Sequence, residues 1–407
     1  MVDVVLNRIS GSNIIDLRGS SMDAVQLTDN RFFFVYFENT VLYGAIVDFT
    51  NFRTNDAYTI TVQKSLAISN SIQGVKIEKL NANYVVIVVD DDVYLHEITA
   101  NDIIQRDVEA NRAGEGNTRA VSSTTNTSAP PTHKFIDILV TSETTFTVVS
   151  FASNTTSIST IRGYSFTRSN NNLSYTGLEN MNASMQSDGD IGFKLSKYIF
   201  TNPNTSNQEY IIFTGPSGTI NGLDDGYNDS FRYAGNNFST RLATINPKAG
   251  ALVFFEDRNQ LVPIDSVTRR MISISTNFPG FSAGYTGAMY PDYQRANTAS
   301  GSFIHDTLKL DNNYFLLLTY DTSLNSPPRW TAGYLLCKKI ADDIIQQVPN
   351  NSEGFVFPDV NIGNTDLGYY WSRNTSFRKW DNTLVVFFGL PTTNGSSITF
   401  PIKRIAV

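Results

Sequence analysis

Seven short apolar runs set the strongest limit on what this chain can fold into. They are "RFFFVYFEN" (31–39), "NYVVIVVDD" (83–91), "TFTVVSFAS" (145–153), "EYIIFTGPS" (209–217), "ALVFFEDRN" (251–259), "NYFLLLTYD" (313–321) and "NTLVVFFGL" (382–390). A strand wet on one face alternates apolar and polar residues; these runs do not alternate, so both faces of each strand are expected to be buried. Each is far too short to span a membrane, which takes ~20 apolar residues as a helix. A two-layer sandwich would leave one face of each sheet in water and restore the alternation. A parallel α/β sheet would need amphipathic helices between the runs, and the intervening segments do not read that way.

The flanking segments repeat as well. Each run follows a shorter strand-like piece and a turn, as in "DAVQLTDN" and "HDTLKLDNN", and precedes a second strand, as in "ENTVLYGAIVDF". A fourth piece such as "AYTITVQKS" often closes the unit. The tetrapeptide DIIQ recurs in "YLHEITANDIIQRDV" (94–108) and "YLLCKKIADDIIQQV" (334–348). The proline in the second copy argues for strand there. Four antiparallel strands per unit, at an irregular spacing of roughly 40 to 70 residues, describe an all-β fold, a single β-propeller over 1–407. Seven four-stranded blades are expected near 22–66, 67–112, 130–178, 188–236, 237–280, 300–350 and 355–407. The N-terminal "VDVVLNRIS" within 1–10 is expected to join the last blade and close the ring. A six-blade ring with one stray repeat is the alternative.

The composition narrows function by exclusion. A net charge of −7 offers no footprint for nucleic acid, which requires clustered Lys and Arg. The only cysteine, Cys337, lies in an apolar stretch, so a disulfide framework and a Cys-based zinc site are both out. The three histidines, His96, His133 and His305, lack metal-motif spacing and read as ordinary strand or loop residues. The N-terminus has no charged start followed by a long apolar core, so neither a secretory signal nor membrane insertion is expected. "GEGNTR" lacks the Lys and the helix of a phosphate cradle, and no nucleophile elbow appears. No cofactor is expected. The exception to consider is calcium at "DDGYND", where Asp224, Asp225, Asn228 and Asp229 bring hard oxygen ligands together. Tight turns favour the same residues.

Long insertions mark the candidate contact surface. "NRAGEGNTRAVSSTTNTSAPPTHK" (111–134) and "NFPGFSAGYTGAMYPDYQRANTASGS" (277–302) fall between units. "DTSLNSPPRWTAG" (321–333) falls between the second and third strands of the sixth unit. In an up-and-down blade these positions share one face, and variable surface loops carry function. Arg329 and Trp330, Tyr285, Tyr290 and Tyr293, and Trp371 and Arg373 are the candidate contact residues. Aromatic rings stack on sugars while Arg and Asn bind hydroxyls, and protein interfaces use the same types. Trp371 and Trp380 read rather as core aromatics between blades, whereas Trp330 follows two prolines in an insertion and reads as exposed.

The pattern as a whole resembles seven-bladed propellers that serve as building blocks of bacteriophage tails and fibres, and propeller lectins. The resemblance covers the whole chain and is architectural. The sialidase Asp-box, the Trp-Asp dipeptide signature and the paired kelch glycines are all absent. It implies a non-enzymatic structural or adhesion protein of a virion, made in a host cytoplasm, contacting other virion proteins or a cell-surface glycan and able to form a homo-oligomer. A free lectin-like carbohydrate binder is the alternative. A glycan-processing enzyme is the third, and it requires two or more acids converging on one cleft.

Overall fold

A computed structural model describes residues 2–7, 22–38, 41–52, 57–68, 75–89, 92–109, 133–153, 159–185, 194–200, 208–214, 228–234, 237–245, 249–255, 260–265, 273–274, 283–284, 302–311, 314–323, 329–339, 345–356, 376–381, 384–388, 392–394 and 397–406. The chain divides into two compact units, Met1–Ser184 with Tyr370–Val407, and Met185–Tyr369.

The first unit opens with β1 (Val2–Asn7). A four-stranded sheet follows, β2 (Met22–Gln26), β3 (Arg31–Glu38), β4 (Val41–Asp48) and β5 (Thr59–Ile68). The next holds β6 (Val75–Lys79), β7 (Tyr84–Val89), β8 (Asp92–Ile98) and β9 (Ile103–Glu109). The third holds β10 (His133–Val140), β11 (Thr145–Ser153), β12 (Ser159–Ser169) and β13 (Asn172–Met185).

The second unit has a sheet of β14 (Lys194–Phe200), β15 (Gln208–Thr214), β16 (Asn228–Ala234) and β17 (Asn237–Ile245). It continues with the pair β18 (Ala249–Phe255) and β19 (Gln260–Asp265), and the short pair β20 (Ser273–Ile274) and β21 (Ala283–Gly284). Its last sheet is β22 (Ser302–Lys309), β23 (Tyr314–Ser323), β24 (Arg329–Lys339) and β25 (Ile345–Val356). The chain then returns to the first unit with β26 (Ser376–Lys379), β27 (Leu384–Phe388), β28 (Thr392–Asn394) and β29 (Ser397–Ala406).

Every four-stranded sheet is antiparallel with its strands in chain order. Such consecutive up-and-down four-stranded sheets place the chain in the all-β propeller class. In the last sheet the order is β1-β29-β27-β26, so the N-terminal strand supplies the outer edge, in register from Val2↔Ile402 to Asn7↔Ser397.

Six of the seven apolar runs form second strands (β3, β7, β11, β15, β23 and β27) and the fifth forms β18; the side chains of β3 and β7 alternate between two buried faces. From β3, Phe32, Phe34 and Tyr36 enter a cluster with Phe49, Phe52 and Trp380. Phe33 and Val35 enter the opposite cluster, with Ile77, Val85, Ile87 and Val89 of the second sheet. From β7, Val86 and Val88 turn the other way, towards Ile138, Phe146 and Val148 of the third sheet. Each face costs nothing in unpaired backbone, because the ladders on both sides satisfy the strand's peptide groups.

The turn into each second strand is repeated too. The amides of Leu27, Leu80, Thr141 and Leu310 donate to the carbonyls of Arg31, Tyr84, Thr145 and Tyr314. Short polar side chains brace the turn: Asn81 Oδ1 accepts from the amides of Asn83 and Tyr84, and Asp311 Oδ1 from that of Tyr314. Side-chain oxygens that mimic a backbone acceptor are the reason Asn, Asp and Ser recur here. The DIIQ copies both begin strands, β9 and β25. Pro349 falls where pairing between β24 and β25 jumps from Cys337↔Gln347 to Leu335↔Ser352. A bulge on an edge strand is where a residue without an N–H is tolerated.

Candidate functional site

The first strands β2, β6 and β10 and the strand β26 are neighbours, and they bring charged residues together from four sheets. Asp23 lies on β2, Lys76 and Glu78 on β6, Asp137 on β10 and Arg378 on β26. Arg378 donates to Asp23 Oδ1 at 2.9 Å and, through Nε, to the carbonyl of Ala24 at 2.7 Å. Asp23 is 4% exposed, and its other oxygen accepts from the amide of Ile77 at 3.0 Å. One carboxylate thus ties β26, β2 and β6 together. Asp107 repeats the device at the outer side: Oδ1 accepts from Val108 at 2.8 Å and Oδ2 from Leu173 of the third sheet at 2.6 Å.

Glu78 is different. Burial pushes its carboxyl up to about 7; Arg378 and Lys76 oppose that rise, while Asp23 and Asp137 add to it. Removing a carboxylate from water disfavours its charged form, and neighbouring negative charge does the same. A carboxyl that titrates near neutrality can donate or accept a proton under ordinary conditions. Asp23, by contrast, is closed off by its partners and its burial, so it cannot reach a substrate. The cluster therefore holds one proton-exchanging carboxyl beside an ion pair. Among the described residues, no group of three or more His, Cys, Asp or Glu is arranged to hold a metal ion.

The residues singled out by sequence lie elsewhere. Arg329 and Trp330 begin β24 and pair with Ser323 and Thr322, so the segment extends a hairpin where a loop was expected. Among the described residues, β22 and β25 pair as far as Ser302↔Asp321 and Thr331↔Val356. The β3–β4 and β7–β8 hairpins are shorter, pairing out to Glu38↔Val41 and Val89↔Asp92. Asn228 and Asp229 sit on the central strand β16, opposite Thr214 and Phe213. Tyr285, Tyr290, Tyr293, Trp371, Arg373, Asp224 and Asp225 lie outside the described residues. Trp380, read above as a core aromatic, is 6% exposed and stacks on Phe52 with ring centres 6.2 Å apart.

Sequence reasoning did not pair the acids of the cluster, which lie on three separate strands. His96 was read as an ordinary strand residue. It is on β8, only 1% exposed, and neither ring nitrogen has a hydrogen-bond partner. Burial, with Lys64 assisting, lowers its imidazole to about 4.

No protein-family model matches this sequence, and no curated protein matches it. Among solved structures, it is similar to the Dos1 propeller, with 10% identity over 90% of this chain and 88% of that one and a TM-score of 0.43. It is similar to the WD40 domain of SCAP from fission yeast, with 6% identity over 100% of this chain and 90% of that one and a TM-score of 0.39. It is also similar to the polysaccharide lyase Uly1, with 6% identity over 97% and 91% and a TM-score of 0.46.

Proposed function

We propose that the protein is a non-enzymatic structural and adhesion module, a propeller component of a bacteriophage tail or fibre. Its partner would be a neighbouring virion subunit or a cell-surface glycan. The observation that carries this reading is the β23–β24 hairpin, which pairs Arg329 and Trp330 with Ser323 and Thr322 where the sequence carries a long insertion. A paired segment presents contact residues with less ordering cost on binding than a free loop. Arg and Trp are the residue types that dominate interface energetics. A single cysteine and a surface rich in Asn, Ser and Thr fit a particle component that needs no disulfides.

The test is glycan-array binding together with mass by light scattering, for the native chain and Trp330→Ala. A defined glycan bound by the native chain and lost in the variant supports adhesion. A stable oligomer dispersed by the variant supports a subunit contact. A monomer that binds nothing, or binding unchanged by the variant, rejects the hairpin as the contact.

A second reading, a glycan-processing enzyme, is favoured by Glu78, whose carboxyl rises to about 7. It needs a second acid, and Asp137 on β10 is a neighbouring carboxylate whose charge acts on Glu78. Turnover of acidic and neutral polysaccharides, abolished by Glu78→Gln in a protein that still folds, would replace the adhesion reading with this one.

A further inference from the structure

Two sheets meet across an apolar layer that contains one imidazole ring. The layer is built from Val25 and Leu27, Phe33 and Val35, Leu42 and Ile46, Val75 and Ile77, Val85, Ile87 and Val89, and Ile98 and Ile103. On β8, Val93 and Leu95 belong to the cluster on the far face, while Tyr94 and Ile98 belong to this one, and His96 shares their parity. Its ring lies 6.3 Å from that of Tyr94. Its cross-strand partners are Val85 on β7 and Gln105 on β9.

A neutral imidazole carries one donor and one acceptor, and an imidazolium carries two donors. Here both nitrogens lack a partner in either state. The charged group that acts on the ring is Lys64 of β5, of the same sign as an imidazolium. Lys64 is itself held by Asp102 at 2.7 Å, at the turn into β9. The members of the layer from β2, β3, β4, β6, β7 and β9 are aliphatic or phenyl, so none offers a counter-charge. Tyr94 is the other titratable group of the layer among the described residues.

We propose that His96 is an acid-sensitive latch: protonating it opens the joint between the β2–β5 and β6–β9 sheets. The ring can acquire water and a proton only if that layer separates. The sign follows from the direction of the shift, with a folded value near 4 below the ordinary 6.5. Above about pH 6.5 the latch is closed and costs nothing in proton linkage; as pH falls from there towards 4, the opened form gains a proton that the closed form refuses.

The experiment is hydrogen exchange by mass spectrometry at pH 7 and pH 4.5, corrected for the intrinsic pH dependence of exchange, on the native chain, His96→Leu and His96→Gln. In the native chain, peptides covering β3, β7 and β8 are expected to lose protection at pH 4.5 by tenfold or more, while those covering β22–β25 keep theirs. In both variants, protection at pH 4.5 is expected to match that at pH 7. Equal acid sensitivity in native and variant chains overturns the proposal, as does uniform loss along the whole native chain. Should His96→Leu fail to fold, His96→Gln and the imidazole NMR titration decide alone. Titration of His96 near 6.5 in a chain that stays closed also overturns it.

Discussion

Two neighbouring strands, β2 and β6, each place one carboxylate in the same cluster, and the two carboxylates do different work. Asp23 on β2 has Arg378 on one oxygen and the amide of Ile77 on the other. Glu78 on β6 has burial and like charge around it, and its carboxyl rises to about 7. Strand geometry is the same in both cases. What differs is the partner delivered from the neighbouring sheet, and that partner decides whether a buried acid fastens the structure or exchanges a proton.

The comparison breaks most severely at Asp23. Asp23→Ala removes the acceptor of one Arg378 hydrogen bond and the acceptor of the Ile77 amide, and removing one member of a buried pair costs about 3–5 kcal/mol. Urea unfolding should show that loss, and a loss under 1 kcal/mol would mean that water replaces the carboxylate at no cost. A smaller loss is expected for Asp23→Asn, which keeps an acceptor for the amide.

Glu78→Gln should act in the opposite direction, increasingly as pH rises above about 4.5. Because the folded value lies above the ordinary 4.5, the folded state holds a proton between about 4.5 and 7 that the unfolded chain has released. Stability therefore falls as pH rises through that window. Glu78→Gln should raise stability at pH 8 by about 1–3 kcal/mol and leave it nearly unchanged at pH 4.5. Equal effects at the two pH values would place the Glu78 carboxyl in water.

The joint between the first two sheets offers an intermediate test. Gly44 on β4 faces Leu66 and Phe33 so closely that an added Cβ would lie 2.8 Å from each. Gly44→Val should cost about 1–3 kcal/mol by overpacking, read as a lowered unfolding midpoint. The smallest effect is expected from Lys64→Ala. The ion pair to Asp102 is 40% and 49% exposed at its two ends and is worth less than about 1 kcal/mol. The same variant should nevertheless raise the His96 titration point, since a like charge beside the ring is gone.

Particular residues show where the sequence was readable. Phe32 to Tyr36 announced their double burial because strands covered on both faces have no polar positions left. Asn81 and Asp311 announced their turns because a short side-chain oxygen can replace a backbone acceptor. Arg329 and Trp330 were read as loop, because prolines at 327 and 328 and the length of the insertion outweighed the pairing that only a partner strand can reveal. The contact between Asp23 and Arg378 was invisible, since it joins positions 355 residues apart.

What the sequence alone determined is the kind of element: short antiparallel strands, apolar on both sides, repeated with polar turns, because burial and turn chemistry act through near neighbours in the chain. Which acid is paired, which histidine is stranded and which insertion pairs as a hairpin were decided by the tertiary structure. Those properties depend on the group that another sheet delivers, and on the water that its arrival expels.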